Sequence, residues 1–208
     1  MNRTLSRQER RKLRTRQRIL DAARRVIAAR GYEATGVLDI TEAADVSKGT
    51  FYLYFKDKED LTRTLIMEGF KALRAHVIND LLPTRTHVDE LSQGLRAVFH
   101  YANQNRDLFR IMLGRKGSAE LSLMALNYYA EAVEEILGLI GLTPDVLPLP
   151  PALLAQFIAG AGTRLVLWWL EDDHGLSPDE MSEITYRLLR EGLLPLMPPH
   201  LRAPQAAG

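Results

Sequence analysis

The chain of 208 residues has no cysteine, only two tryptophans and a net charge of just +1. Without cysteine there is no disulfide, no thiolate metal site and no cysteine nucleophile, which suits a reducing compartment, and a cytoplasmic protein is expected. A secretory leader is not expected either, because the apolar stretch from Ile19 to Ala29 is broken by Asp21, Arg24 and Arg25. Catalytic signatures are missing. No glycine-rich phosphate loop follows a strand, no zinc-type spacing occurs, and His76, His87, His100, His174 and His200 are scattered. No enzyme, cofactor or metal site is therefore expected. One long apolar run, Ala152 to Leu170, carries Arg164 near its middle. An unpaired arginine at the centre of a bilayer costs at least about 2.5 kcal/mol, so the run reads as a helix buried on most sides, with no membrane as partner.

What is present is a chain 46% hydrophobic and 25% charged, enough to bury a core in one large domain or two small ones. Its charge is unevenly placed. Residues 1–60 hold 14 Lys and Arg against 9 Asp and Glu, a net of +5 that leaves −4 for the remainder. The first twenty residues hold seven Arg and Lys12 against Glu9 alone. So dense a run suits phosphates, or is simply a solvated tail; charge by itself does not choose.

Apolar positions recur at helical spacing almost everywhere, and no alternating strand is found. Ile19, Ala22, Ala23, Val26 and Ile27 predict a first helix from Gln17, ended by Gly31. Val37, Ile40 and Ala44 predict a second, with Gly36 as its N-cap and Asp39 in its first turn. Ser47 caps a short third helix from Lys48, whose Phe51 and Phe55 form one apolar side. Asp57 caps a long fourth, running until Pro83. Further helices are expected from Thr86 to Asn103, from Leu108 to Leu113 with Gly114 as the stop, and from Ser118 to Leu139. The proline-rich stretch Thr143 to Pro151 is a loop. Two last helices follow, Ala152 to Asp172 and Ser177 to Leu194, the second opened by Ser-Pro-Asp-Glu, which supplies a cap, a proline at N1 and Glu180 at N3.

Two short helices joined by a tight turn, the second exposing Lys, Thr and Tyr beside a basic arm, form a helix-turn-helix arrangement fit for a major groove. The residues are more specific than the spacing. Ile19-Leu20-Asp21-Ala22-Ala23, then Gly31-Tyr32, then the unbroken run from Ala43 through Val46-Ser47-Lys48-Gly49-Thr50-Phe51-Tyr52 and Tyr54-Phe55 to Leu61, closely resemble the DNA-binding domain of the TetR family. The resemblance covers roughly residues 14–65.

It implies an all-α protein. Residues 1–15 would be a basic N-terminal arm and 16–62 a three-helix helix-turn-helix DNA-binding domain. Residues 63–197 would be a helical ligand-binding and dimerisation domain, and 198–208 a frayed tail. It further implies a transcriptional regulator, most simply a repressor that binds a palindromic double-stranded DNA operator as a homodimer and is released by an unknown small-molecule effector; the alternatives are an activator or a partner-sensing regulator of the same fold, or, from the basic arm alone, a nonspecific nucleic-acid-binding protein. Lys48 and Thr50 would face the groove beside Ser47 and Gly49, Tyr52 would reach bases or backbone, and Tyr54 and Lys58 would hold phosphates. Three positions depart from the family pattern. Asp45 replaces the usual turn glycine and must take its left-handed conformation. Gly36 replaces a Thr or Ser that would cap the second helix and touch phosphate, a contact Thr35 would have to take over. Leu38 stands where an Arg often enters the groove.

Pocket candidates are the apolar and lightly polar residues of the bundle, Phe99, His100, Asn103, Phe109, Met112, Met124, Asn127, Tyr128, Phe157 and Arg164. Arg164, inside an apolar helix, calls for an anion, either a ligand carboxylate or Glu131, Glu134 or Glu171. The dimer face is expected on Leu154, Ile158, Ala161, Leu165 and Trp168, joined by Leu188.

Overall fold

The computed structural model describes residues 6–81, 90–113, 119–172 and 174–192, and these form nine α-helices with no strand among them. In order they are α1 (Arg7–Arg30), α2 (Val37–Ala43), α3 (Lys48–Tyr52), α4 (Lys58–Leu81), α5 (Glu90–Gln104), α6 (Arg106–Met112), α7 (Ala119–Leu139), α8 (Pro151–Glu171) and α9 (Pro178–Glu191). The expected signals at Pro83, Thr86, Gly114 and Ser118, the last residues before Leu194 and the tail 198–208 lie outside the described residues. The chain divides into two compact units, one of residues 1–74 and 105–132, the other of residues 75–104 and 133–208.

In the first unit, α1 buries Ile19, Leu20, Ala22, Ala23 and Ile27 and packs on α2 and α6. Gly31 ends it with φ +88°, its N–H returning to the Ile27 carbonyl. Phe51 and Phe55 of the α3 region lie with ring centres 5.7 Å apart, Phe51 fully buried. Truncating a buried phenylalanine of this kind costs about 3–5 kcal/mol, so Phe51 is the side chain that anchors α3. Asp57 caps α4 by accepting from the Asp60 N–H at 2.8 Å. Where α4 crosses α6 it carries Gly69, and a Cβ there would stand 2.7 Å from Leu108 Cδ2 and 3.1 Å from Met112 Sδ. Phe70 lies against the rings of Tyr128 and Tyr129, and burial pushes the Tyr129 phenol up to about 12.

α1 starts at Arg7, ten residues before the position its apolar period marks. Ser6 caps it: its Oγ accepts from the Glu9 N–H while Glu9 accepts from the Ser6 N–H, the reciprocal arrangement that opens a helix without any apolar residue. Residues 7–18 bury nothing, so the first half of α1 carries no hydrophobic period to be read.

The second unit is built on α5 against α9, with α8 packed on both. Phe99 of α5 is fully buried and meets Trp169 of α8 edge-on, ring centres 5.6 Å apart. The Trp169 indole N–H donates to the Leu176 carbonyl at 2.8 Å and ties down the link between α8 and α9. Ser177 and Glu180 form the expected capping box of α9, with Pro178 at N1. α8 is long and apolar enough to cross a membrane by length and composition, yet Ala155, Ile158, Ala159, Gly162, Val166, Leu167, Trp169 and Leu170 are buried within the protein.

Candidate nucleic-acid interface

The turn between α2 and α3 sets the interface. Asp45 takes φ +50°, the left-handed value that the family's usual glycine would supply. Arg18 of α1 then fastens the turn, its Nη2 donating to the carbonyls of Ala44 at 2.7 Å and Asp45 at 3.1 Å and lying 3.4 Å from the Asp45 carboxylate. Arg18 is a positioning residue that the sequence does not single out; its i, i+4 neighbours give no hint of a contact 26 residues away.

Ser47 caps α3 through the Thr50 N–H at 3.0 Å, and its Oγ also meets Thr50 Oγ1 at 2.9 Å. The helix so started leaves Lys48, Gly49 and Tyr52 exposed, with Thr50 and Tyr54 half-buried. Gly49 is open: a Cβ there would meet only Ser47 Oγ, at 3.7 Å, so the chain itself does not require glycine at this position. Leu38 and Leu53 are also exposed, at 50% and 81%, and give the head an apolar component beside its cations. At the entrance of α2, Asp39 accepts from the Gly36 N–H at 2.8 Å and pairs with Arg30 at 2.7 Å; that backbone bond first, and Arg30 second, hold its carboxyl below the usual 3.8.

Two residues expected at the DNA are engaged within the protein. Thr35 is buried and donates its hydroxyl to the Gly31 carbonyl at 2.7 Å, so it does not replace the phosphate contact that Gly36 lacks. Lys58, half-buried, donates to the Tyr32 carbonyl at 2.7 Å with its ammonium 4.0 Å from the centre of the Tyr32 ring, which ties it to the link between α1 and α2.

The expected pocket residues do not gather at one place. Met124, Asn127 and Tyr128 line an open groove of about 590 Å³ in the first unit, together with Arg63 and Met67 of α4 and Leu123 of α7. Arg63 reaches Met124 Sδ at 3.4 Å and Glu59 at 2.7 Å. Phe109 and Met112 are buried as core, Met112 against Gly69 of α4. In the second unit Phe99 is core, Asn103 is exposed, and His100 is bound at 3.0 Å to the Asp179 carboxylate, which Arg96 also reaches at 2.7 Å. Phe157 and Arg164 are exposed on α8, Phe157 at 59%, and Arg164 lines a second open groove, of about 440 Å³, with Leu165, Trp168, Leu176, Met181 and Ile184. Arg164 is not buried in an apolar helix, and its nearest carboxylate, Glu171, is 4.0 Å away.

The residues expected at a dimer face differ in exposure, Trp168 being exposed. Ile158 is core of its own chain, and Leu154, Ala161, Leu165 and Leu188 are half-buried. The outward stripe of α8 runs through Leu153, Phe157, Arg164 and Trp168, with Ile184 exposed on α9. A helix apolar all round shows period on every side, so its sequence could not rank the two faces.

Comparison with known proteins adds to this geometry. Residues 19–65 match the bacterial regulatory proteins of the tetR family, and residues 89–191 match a transcriptional regulator C-terminal region. The fatty acid metabolism regulator protein of Bacillus subtilis (strain 168) is 26% identical over 187 residues, covering 84% of this chain and 93% of that protein. The crystal structure of a transcriptional regulator, FadR, from Bacillus subtilis in complex with stearoyl-CoA has the same fold, with a TM-score of 0.72 at 26% identity over 85% of this chain and 98% of that one. An uncharacterized HTH-type transcriptional regulator of Bacillus subtilis, YxbF, is 21% identical over 154 residues, and the chain spans 39% of its length.

Proposed function

The chain belongs to the TetR family of helix-turn-helix transcriptional regulators, which bind DNA, and on that premise we propose that it is a repressor that grips a palindromic operator as a homodimer and is released by a small molecule. The observation that carries the reading is the recognition helix: Lys48, Gly49 and Tyr52 stand exposed on a helix that Ser47 caps and whose preceding turn Arg18 fixes. Lysine and tyrosine there can reach phosphates and base edges while Phe51 and Phe55 remain core. Residues 16–62 serve as the reading head and residues 63–197 as the sensing and dimerising part.

Dimerisation is supported by the apolar stripe of α8 and α9. Leu153, Phe157, Trp168 and Ile184 are large and exposed on two helices, the kind of surface a self-complementary two-fold contact removes from water. Two heads at fixed separation then read two half-sites. Release requires a ligand that prefers a dimer with its heads at the wrong spacing. α6 is the element through which such a preference would reach the DNA, because it packs on α1, where Arg24 reaches Asn105 at 3.3 Å, and on α4 at Gly69.

For the effector, the likeness to the fatty acid metabolism regulator protein of Bacillus subtilis and to the structure of FadR from that organism in complex with stearoyl-CoA supports a long-chain acyl-CoA. The groove of Met67, Leu123, Met124 and Tyr128 offers apolar contact, while Arg63 is paired with Glu59 and Glu120 and Glu131 also line the groove, so an anionic group would have to take Arg63 from Glu59. The test titrates palmitoyl-CoA and stearoyl-CoA, with free CoA and free fatty acid as controls, into the protein bound to its selected operator. Loss of anisotropy with the thioesters alone supports this effector. Retention of the complex in all four removes acyl-CoA from the reading and leaves DNA binding untouched.

A further inference from the structure

The projecting half of α1 carries more charge than the reading head uses. Arg7, Arg10, Arg11, Arg14 and Arg18 follow one another at helical spacing, within an arc of about 100° around the helix. With Thr15 they line one open, strongly cationic surface along α1. From Arg7 to Arg18 the row extends about 16 Å at the α-helical rise. Among the described residues, Arg7, Arg10, Arg11 and Arg14 make no ion pair with a carboxylate. Acidic groups are kept off the row or at its inner end. Glu9 lies on the far side of the helix and is held by Ser6, Asp45 meets Arg18, and Asp21 accepts from Gln17. Arg16, on the opposite face, is the arginine that turns inward, to Glu68 at 2.8 Å.

We infer that this arginine row is a second DNA-binding surface, a rigid helical rail that takes backbone phosphates of the duplex flanking each half-site. It rests on the reading of the protein as a DNA-binding regulator and adds to it a site outside the helix-turn-helix. Continuity places it: the last arginine of the row, Arg18, is the one that donates to the Ala44 and Asp45 carbonyls, so the rail leads away from the turn that aims α3. Its shape decides what it can touch. A helix is about 10–12 Å across and the minor groove about 6 Å wide, so a helical rail cannot thread that groove as an extended arm would, and it lies over the phosphates instead. Its contribution is therefore independent of sequence and dependent on salt. The Ser6–Glu9 cap keeps the first turn folded, which spares the ordering cost that a flexible arm meets on binding.

The test compares the full-length protein with the variant Arg7→Ala, Arg10→Ala, Arg11→Ala, Arg14→Ala. Alanine preserves helix propensity, which circular dichroism verifies. Both are titrated by anisotropy against a random-sequence duplex of about 40 base pairs and against the duplex selected by the wild type, between about 50 and 200 mM KCl. The expected result is a slope of log affinity against log salt shallower by about 0.9 for each phosphate that the variant no longer neutralises, up to about 3.6, on both duplexes. The selected sequence stays the same. The corresponding fourfold Arg→Lys variant keeps the steep slope, and trimming the flanks of the duplex makes wild type and alanine variant alike. Equal slopes on both duplexes overturn the rail; if binding to vesicles of anionic phospholipid is lost at the same time, the row belongs to a membrane surface. If the wild type selects no site, the sequence-specific reading falls, while the slopes on the random duplex still decide the rail.

Discussion

Asp45 holds a left-handed backbone that glycine would adopt freely, and its own side chain returns little, because the Arg18 contact to its carboxylate is exposed and long while the contacts to backbone carbonyls do not depend on residue type. Asp45→Gly should therefore leave stability within about 0.5 kcal/mol, relief of the positive φ being offset by glycine's larger chain entropy, whereas Asp45→Val should cost about 1–2 kcal/mol; urea midpoints separate the two. Lys58 and Lys48 should divide in the opposite sense. Lys58→Met keeps the stem but leaves the Tyr32 carbonyl without its donor and should lower stability by about 1–3 kcal/mol. Lys48→Ala, fully on the surface, should leave stability within about 0.5 kcal/mol and remove affinity for the operator. Thermal melts and anisotropy on the same two proteins check this. The strain at Asp45 and the cap at Ser47 are legible in the sequence because both are local. The burial of Thr35 and the capture of Lys58 by Tyr32 are not, because both depend on how the link between α1 and α2 folds back, 26 residues away from Lys58.

The nine helices divide by what announces them. Those with a polar cap and one apolar face, α3 and α9 above all, begin at the residues their sequences mark, Ser47 and Ser177. The outer half of α1 escapes the sequence because a helix that buries nothing has no period to detect; only Ser6 and Glu9 announce it. α8 is legible as a helix but not in its facing, since Leu154 and Ile158 are as apolar as Leu153 and Phe157 and only the fold separates them. Two predictions belong to this scale. Gly69→Val forces branched carbons into Leu108 and Met112 where α4 crosses α6, and should cost about 1–3 kcal/mol in a thermal melt. The helix starts should also be acid-sensitive. Glu9, Asp39 and Glu180 are held below their usual 4.5, 3.8 and 4.5 chiefly by the backbone N–H groups of Ser6, Gly36 and Ser177, and Asp179 is held below 3.8 first by its bond to His100 and then by Arg96. Carboxylates with lowered folded values add stability that is present above those usual values and lost as the pH falls through the lowered ones. Melting temperature should thus decline from about pH 5 downward, and Asp179→Asn should flatten that decline.

A regulator of this family works as a whole only if two reading heads are presented together, and the surface proposed to join them is the stripe of Leu153, Phe157, Trp168 and Ile184. Replacing Phe157 and Trp168 by Asp places two charges in that stripe. The variant should sediment as a monomer with the same circular dichroism, and should bind the operator far more weakly, since one head reads only one half-site. The helix-turn-helix is legible from a run of residues whose chemistry is nearly self-sufficient. The effector is not, because the ten pocket candidates spread over core, groove and surface, and apolar residues at helical spacing look alike in all three. The most direct test of the account is selection of bound duplexes from a random pool by the wild type and by the Phe157→Asp, Trp168→Asp variant. The account predicts that the wild type enriches two inverted half-sites, centred about 34–36 Å or a multiple of that apart, and that the variant does not. Binding with no enriched sequence, equal in both proteins and fading only with added salt, would contradict it.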